Sequence, residues 1–75
     1  MKIQSFDMQV IDNRIHLLVD SEKQPEVKKL KTGHIFEYCN STLTVSTSPI
    51  KSYGNTICIP VRAEELHNIF NKQGE

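Results

Sequence analysis

Residues 6–19 of the chain read FDMQVIDNRIHLLV, and this stretch decides the fold. Asp12 and Asn13 tolerate the positive φ angles of a two-residue hairpin turn, so they predict a turn between two strands. The pairs that then face the core are all apolar: Val10 with Ile15, Met8 with Leu17, and Phe6 with Val19. The pairs on the opposite face are mostly polar: Ile11 with Arg14, Gln9 with His16, and Asp7 with Leu18. A shift by one residue would mix the two faces, so the pattern predicts a single register.

The same reasoning predicts a second hairpin, with Asn40 and Ser41 as its loop. The expected apolar pairs are Tyr38 with Leu43 and Phe36 with Val45. The expected pairs on the other face are Glu37 with Thr44 and Cys39 with Thr42. One side is again apolar and the other polar, which is typical of a sheet with one buried face.

A third turn is predicted at Gly54 and Asn55, which places Ile50 opposite Ile59. It leads into a strand over residues 56–61, whose alternate positions are apolar. The third hairpin therefore adds to the same kind of sheet.

Two prolines mark departures from regular strands. Pro49 cannot donate a hydrogen bond to a neighbouring strand, so the sequence predicts a bend or a sheet edge there. Pro25 is a natural first residue for a short helix. Residues 25–32 form either a helical turn or an extended connection with outward lysines, and the sequence leaves both open.

From about Arg62 the apolar period changes from two to about 3.6 residues, which predicts a helix. Its apolar stripe consists of Ala63, Leu66, Ile69 and Phe70. We expect this C-terminal helix to pack its stripe on the sheet and to end at Gly74.

These elements predict an α+β fold, a single domain over residues 1–75. It is a small antiparallel sheet of about five hairpin-connected strands with one C-terminal helix. A helix of about twelve residues covers roughly 18 by 10 Å, whereas five strands at about 4.8 Å spacing exceed 20 Å in width. The sheet therefore either curls into a half-barrel or meets another chain, and a homo-oligomer, most simply a dimer, satisfies the excess. The expected inner face comprises Phe6, Met8, Val10, Ile15, Leu17, Val19, Phe36, Tyr38, Leu43, Val45, Ile57 and Ile59.

Composition limits the classes of partner. Nine basic and nine acidic residues cancel, so no global field steers the chain toward nucleic acid or a membrane surface. The two cysteines, together with an N-terminal segment that lacks an export pattern, lead us to expect a cytoplasmic protein with reduced thiols. No apolar run reaches the 18 or so residues needed to span a membrane.

No motif for catalysis, metal binding or phosphate binding stands out. The histidines and cysteines are scattered singly, without the close pairs that mark zinc sites. The glycines are isolated, unlike those of a phosphate-binding loop. We therefore expect a protein that is not an enzyme and holds neither cofactor nor metal.

A small, neutral domain without a pocket is most simply explained as one that acts by contact. The leading hypothesis is a small binding protein, an adaptor or an inhibitor of a larger protein of unknown identity. Such compact chains are common among phage and mobile-element products that block a host enzyme. The predicted contact residues are apolar positions on the polar face and their polar neighbours: Ile11, Leu18, Ile35, Arg14 and His16.

The alternative is a nucleic-acid-binding, barrel-like small domain. Lys28, Lys29, Lys31 and His34 form a local basic segment that could contact phosphates, although Glu26 dilutes it. A lysine-rich loop is more often simply solvated, so the sequence favours nucleic acid less than protein.

Overall fold

A computed structural model of the chain describes residues 1–47 and 50–73. The elements in chain order are β1 (Asp7–Ile11), β2 (Arg14–Asp20), a 3₁₀ helix (Pro25–Lys29), β3 (Ile35–Tyr38), β4 (Ser41–Thr44), β5 (Lys51–Tyr53), β6 (Thr56–Pro60) and α1 (Ala63–Gln73). The positions predicted to bend the chain at Ser48 and Pro49 and to end the helix at Gly74 lie outside the described residues.

The first hairpin has the predicted turn and register. Asp12 and Asn13 adopt positive φ angles of 52° and 64°. The five pairs from Asp7 opposite Leu18 to Ile11 opposite Arg14 are those expected from the sequence. The predicted pair of Phe6 with Val19 is wrong: the Phe6 N–H donates to the Leu18 carbonyl instead, so two residues oppose one, as in a β-bulge.

The second hairpin forms in a different register from the predicted one. Its turn consists of Cys39 and Asn40, at φ 51° and 62°, instead of Asn40 and Ser41. The observed pairs are Tyr38 with Ser41, Glu37 with Thr42, Phe36 with Leu43 and Ile35 with Thr44. The shift in pairing is two residues, and because side chains alternate with period two, the buried face is unchanged.

The third turn is at Gly54 and Asn55, as predicted, with Gly54 at φ 60°. Lys51 pairs with Cys58 and Tyr53 with Thr56, which is the expected register.

The strands form two antiparallel sheets, so the predicted class is confirmed. Four strands run in the order β1-β2-β6-β5, and β3 pairs with β4 in a separate hairpin. There are thus six described strands instead of about five, and they do not close into a barrel. The first residues of the chain run beside β3, where the Ile3 N–H donates to the Glu37 carbonyl at 2.9 Å.

The core lies between the two sheets and α1. Its buried apolar members are Ile3, Leu17, Val19, Val27, Leu30, Phe36, Tyr38, Leu43, Val45, Ile57, Ile59, Val61, Leu66 and Ile69. The 3₁₀ helix settles the open alternative as a helical turn over Pro25–Lys29, after which Leu30 is extended. This turn buries Val27 and so closes one side of the core.

Part of the predicted face assignment is wrong. Phe6, which precedes β1, and Val10 within it are both exposed, and β1 is an edge strand with a neighbouring strand on one side only. Leu18 (7% exposed) and His16 (1%) are buried, although both belong to the face expected to be polar. Their strand, β2, is central, so it has a neighbouring strand on each side.

A contact across the sheet helps to explain this second buried face. Lys51 of β5 forms an ion pair with Asp12 in the β1–β2 turn. Lys51 pairs with Cys58, which in turn pairs with Leu18, so the three side chains lie on the same face of the sheet. The ion pair therefore lies on the face where His16, Leu18 and Cys58 are buried.

The predicted helix forms as α1, with Leu66 and Ile69 in the core. Ala63 and Phe70, expected in the same stripe, are exposed. Among the described residues no helix is long and apolar enough to span a membrane, and α1 has only 11 residues.

Candidate protein-binding surface

An apolar groove runs between α1 and the first hairpin, with a volume of about 480 Å³. We call it the helix groove. Its lining residues are Met8, Ile15, Ala63, Glu64, Leu66, His67 and Phe70. A smaller depression beside it, about 190 Å³, is lined by Met8, Gln9, Val10 and Ile15. The groove therefore continues onto the outer part of the hairpin.

The groove arises from where the helix is anchored. Glu65 accepts hydrogen bonds from the Thr44 backbone N–H (3.3 Å) and from the Thr44 hydroxyl (3.5 Å). These bonds hold one flank of α1 against β4. The opposite flank, which carries Phe70, faces Met8 and Ile15 without covering them.

Three large apolar side chains around the groove are not fully buried. Phe70 is 47% exposed, and Met8 and Ile15 are only partly buried although they pack against the core. Single exposed apolar side chains are normal on protein surfaces, but a contiguous group around a groove is typical of an interaction site.

The edge of β1 is a second distinctive feature. This strand is the first of its sheet, so its outer side has no partner among the described strands. The Met8 N–H donates to the carboxylate of Asp7 at 2.8 Å. A side chain that occupies an outward N–H protects an edge strand in a monomer.

The predicted contact residues do not form one surface. Ile35 is 66% exposed on β3, while Ile11 and Arg14 are partly exposed and pair next to the first turn. Leu18 and His16 are buried, so their expected exposure is wrong. The role of the exposed members in binding stays a prediction.

His16 is held by a hydrogen bond to the backbone of its own strand, β2. Its Nδ1 lies 2.8 Å from the Arg14 carbonyl, while its buried Nε2 has no hydrogen-bond partner among the described residues. The same part of the chain holds no group of three or more histidine, cysteine or carboxylate side chains that could bind a metal.

The two cysteines have different environments. Cys39 is exposed in the β3–β4 turn, and Cys58 is buried in β6. Burial raises the pKa of the Cys58 thiol, against a smaller opposing effect of Lys51. A raised pKa keeps the thiol protonated and unreactive, so Cys58 lacks the character of a nucleophile.

The predicted basic segment is exposed as a whole. Lys28 and Lys29 end the 3₁₀ helix, and Lys31 and His34 follow in a tight turn. The turn is held by the Lys31 N–H, which lies 3.3 Å from Nδ1 of His34. Among the described residues the one ion pair joins Lys51 to Asp12. The lysines of the basic segment therefore have no acidic partner in the part of the chain that the structure describes.

Comparisons with protein-family models, with curated proteins and with solved structures found no match to this chain. Sequence reasoning placed Met8, Ile15 and Phe70 in the core, and so missed the groove. The available signal was the mismatch in size between one helix and the sheet, which implied that some apolar area stays uncovered.

Proposed function

We propose that this chain is a small non-catalytic binding protein, and that the helix groove is its contact surface for another protein. The observation that carries the proposal is the open apolar groove of about 480 Å³ between Met8, Ile15 and Phe70. Burying such a surface against a partner is favourable, because apolar area leaves water.

The shape of the groove favours a protein segment over a small molecule. Small-molecule sites are concave and combine apolar walls with a few converging polar groups. Here Glu64 and His67 lie on the helix side, and the floor, with Met8 and Leu66, is apolar. An apolar segment of a partner, such as one face of an amphipathic helix, fits an open groove of this kind.

Binding without chemistry implies action as an adaptor or as an inhibitor of the partner. Burial raises the pKa of the Cys58 thiol, so this side chain is a poor nucleophile. A domain of 75 residues that binds a larger protein acts by bridging it to another or by blocking its surface.

The experiment is a pull-down from native lysate, with and without nuclease treatment. It compares the proteins that bind to the purified wild type with those that bind to two variants. Phe70→Glu places a charge at the rim of the groove, and Ile35→Glu is a matched control on β3. We expect one stoichiometric protein bound by wild type and Ile35→Glu, resistant to nuclease, and lost with Phe70→Glu. Binding should then be reproduced with the purified partner.

Circular dichroism tests whether both variants are folded, and we expect that they are, because both positions are exposed. Equal binding by Phe70→Glu and wild type would contradict the assignment of the groove. Loss of binding only in Ile35→Glu would move the contact to the β3 surface predicted from the sequence.

Nucleic-acid binding is a second candidate, favoured by the exposed basic segment. If Lys28, Lys29 and Lys31 each contact one phosphate, the logarithm of affinity should fall against that of salt with a slope of about −3. Fluorescence anisotropy with labelled oligonucleotides measures this slope. Replacing the three lysines by glutamine should abolish binding, and unchanged affinity would exclude the segment.

A further inference from the structure

We propose that the free edge of β1 pairs with β1 of a second copy of this chain, antiparallel and about a two-fold axis at Gln9. Met8 also lines the helix groove, so the second copy lies beside that groove, but the pairing depends on outward backbone groups of β1 and on Val10, which is not among the residues that line the groove. The pairing joins the two four-stranded sheets into one of eight strands.

The backbone of β1 is arranged for such pairing. Ile11 and Arg14 flank a two-residue turn, so they form a hydrogen-bonded pair. Hydrogen-bonded and non-hydrogen-bonded pairs alternate along an antiparallel ladder, so the N–H and C=O groups of Met8 and Val10 point away from β2. The bond from the Met8 N–H to Asp7 agrees with this direction. Met8 and Val10 thus present outward backbone N–H and C=O groups on either side of Gln9. Two copies of this edge related by a two-fold axis at Gln9 can therefore hydrogen-bond to each other.

The two-fold axis at Gln9 fixes the register. Met8 of each copy lies opposite Val10 of the other, and each such pair exchanges both backbone hydrogen bonds. Val10, 71% exposed in the isolated chain, becomes covered by the Met8 of the second copy. Apolar cross-strand pairs of this kind stabilise a sheet.

The opposite face of the same strand is complementary in charge. In this register Asp7 of one copy lies opposite Ile11 of the other, whose partner in β2 is Arg14. Asp7 and that Arg14 are two strands apart, roughly 10 Å between Cα atoms, within reach of the two side chains. The axis brings only the neutral Gln9 side chains together, so no like charges meet.

Association exchanges one interaction of Asp7 for another. In the monomer its carboxylate occupies the Met8 N–H. In the dimer that N–H donates to Val10 of the second copy, and the carboxylate pairs with Arg14. The Asp7 carboxylate thus occupies the outward Met8 N–H in the monomer, and it exchanges this hydrogen bond for the Arg14 ion pair in the dimer.

The size of the contact predicts weak association. One strand of five residues per copy buries less than the roughly 800 Å² per partner of a standard interface. We therefore expect a dissociation constant on the order of micromolar or weaker.

Sedimentation velocity from about 5 to about 500 µM tests the proposal over a range that brackets such a constant. We expect the average mass of the wild-type protein in solution to rise with concentration, from 8.6 kDa toward twice that value. Val10→Lys should remain monomeric across the range, whereas the control Ile35→Lys, another exposed strand residue, should associate like wild type.

A charge-reversal pair guards against a folding defect in Val10→Lys. Asp7→Arg and Arg14→Asp should each weaken association, and the double variant should restore it. A wild type that is monomeric throughout would overturn the proposal while leaving groove binding intact. Association of Val10→Lys at wild-type strength, or the absence of rescue, would also overturn it.

Discussion

At the scale of single residues, Leu18 shows how alternation can mislead. It belongs to the polar face of the first hairpin, opposite Asp7. In the sheet it also lies opposite Cys58 of β6, and both side chains are buried. A residue of a central strand has neighbours on both sides, so a local pattern underestimates its burial. Leu18 therefore contributes to stability.

Leu18→Ala should lower the free energy of unfolding by about 2–4 kcal/mol, because it removes a buried side chain and leaves a cavity. Urea denaturation measures the change. The control Ile35→Ala, at an exposed strand position, should change stability by less than about 0.5 kcal/mol. If the free energy of unfolding fell equally little in both variants, Leu18 would be a surface residue. It would then be available for the contact surface predicted from the sequence.

At the scale of elements, the β3–β4 turn shows that hairpin patterns fix a face more firmly than a register. Cys39 and Asn40 adopt positive φ angles, which are unfavourable for most residues but accessible to asparagine. Pairing about Asn40 and Ser41 would bury the same side chains. The choice between the two therefore depends on the turn and on packing, not on the hydrophobic pattern.

Glycine substitutions distinguish the two registers. Asn40→Gly should raise the free energy of unfolding by roughly 0.5 kcal/mol, because position 40 has a positive φ. Ser41→Gly should lower it by about 0.5–1 kcal/mol, since Ser41 lies in β4. Thermal or urea unfolding gives both values. A stabilising Ser41→Gly would instead support the register predicted from the sequence.

At the scale of the whole molecule, the contact between Lys51 and Asp12 links β5 to the first turn. The Lys51 side chain lowers the pKa of Asp12, chiefly by a hydrogen bond, and Asp12 in turn raises that of Lys51. The contribution of Asp12 to stability is present above its ordinary pKa and is lost as the pH falls through the lowered one. The contribution of Lys51 is lost only at strongly alkaline pH.

Lys51→Met should therefore be less stable than wild type near neutral pH, and the difference should shrink below about pH 4. The effect is small, because exposed ion pairs are screened by solvent. Melting temperatures across this range, at low and high salt, give the comparison. A difference independent of pH would show that Lys51 acts through the packing of its methylene groups instead.

The candidate site was only partly accessible to sequence reasoning. The exposed Ile35 and the exposed basic segment agree with the positions expected for them. The groove was not predicted, because Met8, Ile15 and Phe70 carry the same apolar signature as true core residues. What separates them is the placement of α1, which Glu65 ties to β4.

The sequence by itself determined the three hairpins, the C-terminal helix and the alternation of buried residues in β3 and β4. These features depend on turn chemistry and on periods of two and 3.6 residues, which are local. Only the tertiary structure decided that β2 and β6 are central, that Leu18 and His16 are buried, and that Val10 is exposed. The order of strands is set by contacts between distant segments, and strand order decides which apolar faces are covered.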